Sequence, residues 1–384
     1  MKEIQKNLDQ LEKDLKQHKD KLKLKIQLEK MKISDEFVEE VVVNLGHNKT
    51  ILSYYNRLAK KRDILKIYNQ SERLDNCNKF WLLDVYEKNK IKDFKKTSRC
   101  DDKFCNNCKL VKQAYRLSKF MPVIDFAKLD HELYHLVLTV PNIKSEELRT
   151  TIERMNKSFF ELNRYFASKK KIKGIDFSDY GYVGAIRSLE ITYNTRSYHP
   201  HFHCIIALKK DVVLPGSNVN KFSFTNKDKT KIRYFKDIEI LIQKIWYLKF
   251  NNIKVTKKAI DNLDIGYSCI MDKVDENTAY EVFKYATKSN NEKGSLMTYK
   301  QFETLYDALA NIRQIQGYGM FFGIGDEIDE KLLNEVEEEY QNFISKLKEV
   351  PYEAWQSPQE LLDDVEYTLV SRNSIFKKLK QLKL

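Results

Sequence analysis

His199-Pro200-His201-Phe202-His203-Cys204-Ile205-Ile206-Ala207-Leu208 is the stretch on which the fold turns. Read as a strand, its alternation sends His199, His201 and His203 to one side and Phe202 and Cys204 to the other. Three imidazoles on one face can hold a metal ion while the opposite face packs. The chain has only seven histidines in 384 residues, so this concentration carries weight.

Just upstream, Ile186 to Tyr193 reads as a second strand, and Asn194-Thr195-Arg196-Ser197 as the polar turn of a hairpin. The hairpin folds Glu190 toward the histidines when the turn register allows. Two histidines and a carboxylate suit Mg²⁺ or Mn²⁺, with positions left open for phosphate oxygens. The competing reading makes His199 a turn residue and His201 and His203 buried, hydrogen-bonded side chains. Three alternating histidines beside a glutamate favour the metal, with His199, His201, His203 and Glu190 as candidate ligands.

Further out, Tyr134 to Val140 is β-branched and apolar and ends at Pro141-Asn142, and Ser145-Glu146-Glu147-Leu148 opens a helix to about Phe166. A helix over Ile238 to Phe250, a strand near Asn252 to Val255 and a helix from Ala279 to Thr287 complete a mixed middle with antiparallel pairing. Residues 1–70 read as helical from the recurrence of Leu8, Leu11, Leu15 and Leu22 among Lys and Glu. Beyond Gly325, charged helix is expected from Asp329 to Lys348 and from Pro358 to the C-terminus.

The composition, 42% hydrophobic, supports a substantial core. A formal charge of +13 fits a polyanionic partner, although abundant Lys, Asn and Ile also follow from an A+T-rich coding sequence. Lys169-Lys170-Lys171-Ile172-Lys173 either contacts phosphates or forms a solvated loop. There is no apolar window of roughly 20 residues and no secretory signal, so a cytoplasmic protein without a membrane span is expected.

On the 279–287 helix, Ala279, Val282, Phe283 and Ala286 make an apolar stripe, while Glu281, Lys284, Tyr285 and Lys288 share the polar side. A phenol with pKa of about 10 ionises more readily beside ammonium groups or a metal-bound phosphate, which makes Tyr285 a candidate nucleophile. The alternative is an ordinary surface network of i,i+4 pairs.

Cys100-Asp101-Asp102-Lys103-Phe104-Cys105-Asn106-Asn107-Cys108, with Cys77 upstream, holds four of the six cysteines. In a reducing compartment such a cluster reads as a structural zinc site of four thiolates. No His-x-Glu motif precedes these cysteines, which excludes a zinc deaminase.

These segments, in chain order, resemble the rolling-circle plasmid replication initiators of the HUH endonuclease superfamily found on small plasmids of Gram-positive bacteria. The residues that carry the likeness are Cys100 to Cys108, His135 to Asn142, Leu189 to Asn194 leading into the histidines, Lys284-Tyr285, and Ile312-Arg313-Gln314 through Gly317-Tyr318-Gly319. The likeness covers roughly residues 70 to 325. It implies an α+β fold with a central antiparallel sheet of the HUH type, flanking helices and a small zinc-binding module, to which the helical termini read above are added. The expected division of the chain is a helical region 1–70, a cysteine-rich zinc module 71–130, a nicking-joining catalytic domain 131–325 and a helical region 326–384.

The resemblance also assigns roles. His201 and His203 become the metal-ligating pair with Glu190 as the acidic partner, and His199 stands outside that pair. Tyr285 becomes the nucleophile on origin DNA, forming a 5′-phosphotyrosine ester and leaving a 3′-hydroxyl primer. Glu281, one turn earlier, becomes a general base for a hydrolytic second cut, and Lys284 and Lys288 neutralise transition-state charge. The implied cofactors are catalytic Mn²⁺ or Mg²⁺ and structural Zn²⁺, and the implied partners are origin DNA and the host helicase and polymerase. A transposase or relaxase of the same superfamily, and a non-catalytic metal-stabilised DNA-binding regulator, are the competing readings.

Overall fold

The structure, a computed structural model, describes residues 35–77, 80–86, 92–97, 99–194, 196–212, 222–225, 232–274, 296–324 and 365–371. The chain divides into two compact units, one of residues 47–75 and 99–350 and one of residues 1–46, 76–98 and 351–384. The expected α+β class, with a central antiparallel sheet, is borne out.

The first unit is built on a five-stranded antiparallel sheet. In chain order its strands are β3 (His131–Thr139), β4 (Gly184–Tyr193), β5 (Tyr198–Lys209), β8 (Cys269–Lys273) and β9 (Ile315–Gly319), arranged β8-β3-β5-β4-β9. The histidine strand β5 is therefore central, paired with β3 on one side and β4 on the other. A proline in a central strand would normally cost a ladder bond. Pro200 avoids that cost because β3 stops pairing at Thr139 opposite His201. On the other side, Leu189 N donates outward to Gln314 O, so the odd-numbered residues of β4, Ile191 opposite Pro200 included, point their amides away from β5.

One face of the sheet packs on helices. In α4 (Leu148–Phe166), Ile152, Met155, Phe159, Leu162 and Phe166 form a buried stripe at three- and four-residue spacing. Phe159 meets Phe202 edge-on at 5.7 Å. From α5 (Asp237–Phe250), Trp246 lies 6.1 Å from Phe202, and its indole donates to Thr139 O at 2.7 Å. Full burial of a side chain such as Phe202 contributes roughly 1.5–3 kcal/mol.

The opposite face is divided lengthwise. Over its lower half, Phe120, Ile124 and Ala127 of α3 (Asn106–Asp130) pack against Leu133, Ile186, Ile205 and Ala207. The upper half, where the same alternation places His199, His201 and His203, carries the polar site. At the β9 edge the turn folds back so tightly that a side chain on Gly317 would collide with Phe321 O, and Gly319 adopts φ +61°.

Two helices precede the cysteine loop, α1 (Asp35–Arg62) and α2 (Leu65–Asp75), in line with the helical reading of the N-terminal stretch over the described residues. Within the first unit, Tyr55 and Phe104 both pack edge-on against Phe302 of α7 (Tyr299–Ala308), each at 4.9 Å. Lys103 Nζ donates to Leu309 O at 2.8 Å, so the cysteine loop is tied to the end of that helix.

The second unit contains a three-stranded antiparallel sheet, β1 (Phe80–Tyr86) between β2 (Lys92–Thr97) and β10 (Val365–Ser371). Residues 365–371 were expected to be helix and are strand. The β-branched and aromatic run Val365-Glu366-Tyr367-Thr368-Leu369-Val370 outweighs the charged surroundings that suggested helix.

The strand expected near Asn252 to Val255 is absent. Asn252 takes φ +56° as α5 ends, and the chain turns through a loop into the short helix α6 (Lys257–Asp261). Among the described residues the strands nearest in sequence are the short antiparallel pair β6 (Ser223–Thr225) and β7 (Ile232–Tyr234) before α5 and β8 after it. The helices expected over 279–287 and 329–348 lie outside the described residues.

Candidate metal centres

The hairpin register satisfies the condition that the sequence left open. Glu190 stands directly opposite His201, and Ser188 opposite His203. Asn194 closes the turn by accepting from the amides of Arg196 and Ser197 at 2.8 and 2.9 Å. One carboxylate oxygen, Glu190 Oε2, lies 3.0 Å from His201 Nε2 and 2.8 Å from His203 Nε2. The ligand atoms of Glu190, His201 and His203 all lie within 4.8 Å of one another.

The carboxylate is buried while the two rings are partly exposed, so the donors converge from inside the sheet toward an open side. His201 Nδ1 lies 3.2 Å from His199 O, an atom that only accepts, so an Nδ1 proton has a partner whenever Nε2 gives its lone pair to an ion. The His199 ring stacks on His201 with centroids 5.2 Å apart and is not among the three converging groups.

A fourth imidazole belongs to the site and was missed as a site residue in the sequence. His135 Nε2 lies 3.1 Å from His203 Nδ1, and the two rings stack at 5.3 Å and 13°. In the β3–β5 ladder Val137 is opposite His203, which makes His135 its diagonal neighbour on the same face. The sequence signal was a histidine of matching parity in the adjoining strand, legible only once the pairing of β3 with β5 is known.

The cysteines form a second centre. Within the first unit the sulfur atoms of Cys100, Cys105 and Cys108 lie within 4.8 Å of one another, all three residues are buried, and none is in a disulfide, while Cys77 belongs to the other unit. Cys100 and Cys108 are 3.6 Å apart. Sulfurs at about 2.3 Å around a tetrahedral ion are separated by about 3.8 Å, so the cluster could bind zinc.

The loop is held from outside. Asn48 Nδ2 donates to Cys105 Sγ at 3.2 Å. Asp102 accepts from Tyr55 Oη at 2.6 Å, Gln70 Nε2 at 2.8 Å and Phe104 N at 2.7 Å, while Asp101 takes φ +54°. Burial raises the Asp102 carboxyl and lowers the Lys109 ammonium to about 8, the latter opposed by Asp102 and Cys105. The other two cysteines, Cys204 and Cys269, are packing residues whose thiols burial pushes far up.

The first unit thus gathers Glu190, His201 and His203 in one place and Cys100, Cys105 and Cys108 in another. Tyr285, Glu281, Lys284 and Lys288 lie outside the described residues. In the basic run, Lys170 is committed to an ion pair with Glu161. Among the described residues no helix is long and apolar enough to cross a membrane.

Residues 91–218 match the protein family described as Replication protein. Three curated proteins named Protein rep are similar. One from Staphylococcus aureus is 36% identical over 150 residues, which is 37% of this chain and 59% of the relative. One from a Bacillus species is 31% identical over 206 residues, 51% of this chain and 58% of the relative. One from Bacillus amyloliquefaciens is 29% identical over 205 residues, 51% of this chain and 53% of the relative. The chain thus spans between 53 and 59% of the length of these relatives. No solved structure matches it. Over the stretch that carries the cysteine loop and the histidine hairpin, the chain is therefore related to the replication proteins, and the family likeness read from its motifs is borne out.

Proposed function

We propose that this protein initiates rolling-circle replication of a plasmid by nicking one strand at the origin and later rejoining it. The observation that supports this most is the contact of Glu190 Oε2 with both His201 Nε2 and His203 Nε2 inside one hairpin. An imidazole pair and a carboxylate open on one side suit a divalent cation, Mn²⁺ or Mg²⁺, that shares its remaining positions with phosphate oxygens. When bound, the ion supplies charge stabilisation to the scissile phosphate.

In this reading Tyr285 attacks the phosphorus. The phenol gives up its proton to solvent, the bond from its Oη to phosphorus forms, the bond from phosphorus to the 3′-oxygen breaks, and the leaving 3′-oxygen takes up a proton from solvent to become the primer hydroxyl. Covalent capture retains the ester for rejoining. Glu281 serves as general base for the terminating cut by water, and Lys284 and Lys288 offset the charge that builds on the phosphoryl oxygens. Residues 131–325 form the catalytic domain, residues 71–130 the zinc module, and the regions 1–70 and 326–384 flank them. The setting is the cytoplasm, with host helicase and polymerase taking over the exposed primer.

The test is incubation of purified protein with Mn²⁺ and DNA carrying the cognate origin, resolved on a denaturing gel beside Tyr285→Phe. A protein-linked DNA band that Tyr285→Phe abolishes is the expected result. Origin binding without cleavage or attachment under any divalent metal would replace this reading with that of a metal-stabilised DNA-binding regulator.

A further inference from the structure

We infer that His135 is a positioning residue of the metal centre, accepting a hydrogen bond from His203 and thereby fixing which nitrogen of that ring faces the ion. The inference rests on the metal-centre reading above and adds a side chain that neither the family likeness nor the ligand geometry assigns a role.

The argument is one of valence. A neutral imidazole has one N–H and one lone pair, and only the lone-pair nitrogen can ligate. His203 Nε2 is the nitrogen beside Glu190 Oε2, at 2.8 Å, so Nδ1 must carry the proton when Nε2 ligates. That proton needs an acceptor, and His135 Nε2 lies 3.1 Å from Nδ1. His135 must then hold its own proton on Nδ1. The near-parallel stack, 5.3 Å and 13°, keeps both rings upright on the sheet and limits rotation of His203 about its side-chain bonds.

The two ligand rings are oriented by different means. His201 Nδ1 meets a main-chain carbonyl, that of His199, which any residue at that position would supply. His203 Nδ1 meets a side chain, which a single substitution removes. Metal-bound histidines usually hand their second N–H to a carboxylate, carbonyl or water, and here an imidazole on the neighbouring strand fills that place.

The experiment compares full-length wild type, His135→Phe, His135→Gln and His201→Ala by calorimetric titration with Mn²⁺ in the absence of DNA. Phenylalanine keeps a stacking ring and removes the acceptor, whereas glutamine keeps an acceptor oxygen. Loss of such a partner weakens metal binding by roughly ten- to a hundredfold, which is the expectation for His135→Phe. His135→Gln should fall closer to wild type than to His135→Phe.

Equal Mn²⁺ affinity of His135→Phe and wild type overturns the inference and leaves the metal centre standing. Wild type and His201→Ala that both fail to bind Mn²⁺ overturn the metal centre itself. A measurement without variants guards against misfolding: proton–nitrogen correlation NMR of Mg²⁺-loaded wild type should show His203 protonated at Nδ1, and protonation at Nε2 sinks the proposal.

Discussion

Glu190 Oε2 sits 2.8 Å from His203 Nε2 although the residue directly across the ladder from Glu190 is His201, so a single carboxylate oxygen bridges two rings two positions apart on β5. That bridging holds the three donors in place before any ion arrives. Glu190→Gln keeps the shape and removes the charge, and Mn²⁺ affinity measured by calorimetry should drop by more than roughly tenfold. Unchanged affinity would mean that the carboxylate is no ligand.

The cysteines should separate into two reactive classes. Purified protein should carry zinc by elemental analysis, and a strong chelator should lower the thermal midpoint, since structural sites of this kind supply on the order of 10 kcal/mol of binding energy. After chelation, alkylation of the native protein should label Cys77, Cys100, Cys105 and Cys108 while sparing Cys204 and Cys269, whose thiols burial holds protonated. Rapid labelling of Cys204 before unfolding would contradict this packing.

Glu239 is fully buried at the start of α5 and is satisfied on both oxygens. Oε1 accepts from Met271 N at 2.6 Å and Arg233 at 2.7 Å, and Oε2 accepts from Lys236 N at 2.7 Å. It therefore fastens the helix to edge strand β8. Glu239→Ala leaves the Met271 and Lys236 amides without their acceptor, while Arg233 keeps Asp272, and should cost at least about 2 kcal/mol in urea unfolding. A loss of under about 1 kcal/mol, the typical net worth of a single hydrogen bond, would show that the fastening is redundant.

His47, buried beside the cysteine loop with Nε2 3.3 Å from Phe104 O, has its pKa lowered to about 4, chiefly by burial and then by Lys109. Because the folded value lies below the ordinary 6.5, the unfolded chain binds the proton more readily. The contribution is complete above pH of about 6.5 and is lost as pH falls toward about 4, at most about 3 kcal/mol. His47→Gln should flatten that part of the stability profile relative to wild type. Parallel acid limbs in the two proteins would rule out this histidine as a source.

Much of the site was legible because a strand's period of two is rigid: once His201 and His203 are placed on a strand, parity fixes their shared face, and a four-residue turn brings Glu190 across from them. The packing role of Phe202 and Cys204 followed from the same parity. His135 was not legible, since its place depends on β3 pairing with β5 across 68 residues, a tertiary choice that local pattern does not encode. The strand read near Asn252 failed because a left-handed residue interrupts it, and β10 was hidden among charges that suggested helix.

The ligand set Glu190, His201 and His203 comes entirely from one hairpin, β4 to β5, whereas the pairing of that hairpin with β3 reaches back to a much earlier part of the chain. Local closure is fast, and hairpins form within about 1–10 μs, while distant pairings carry a larger chain-entropy cost. The three donors need only the pairing of β4 with β5, so their convergence does not wait for β3. The centre is in that sense an early event of folding, and His135 joins it only when the sheet closes.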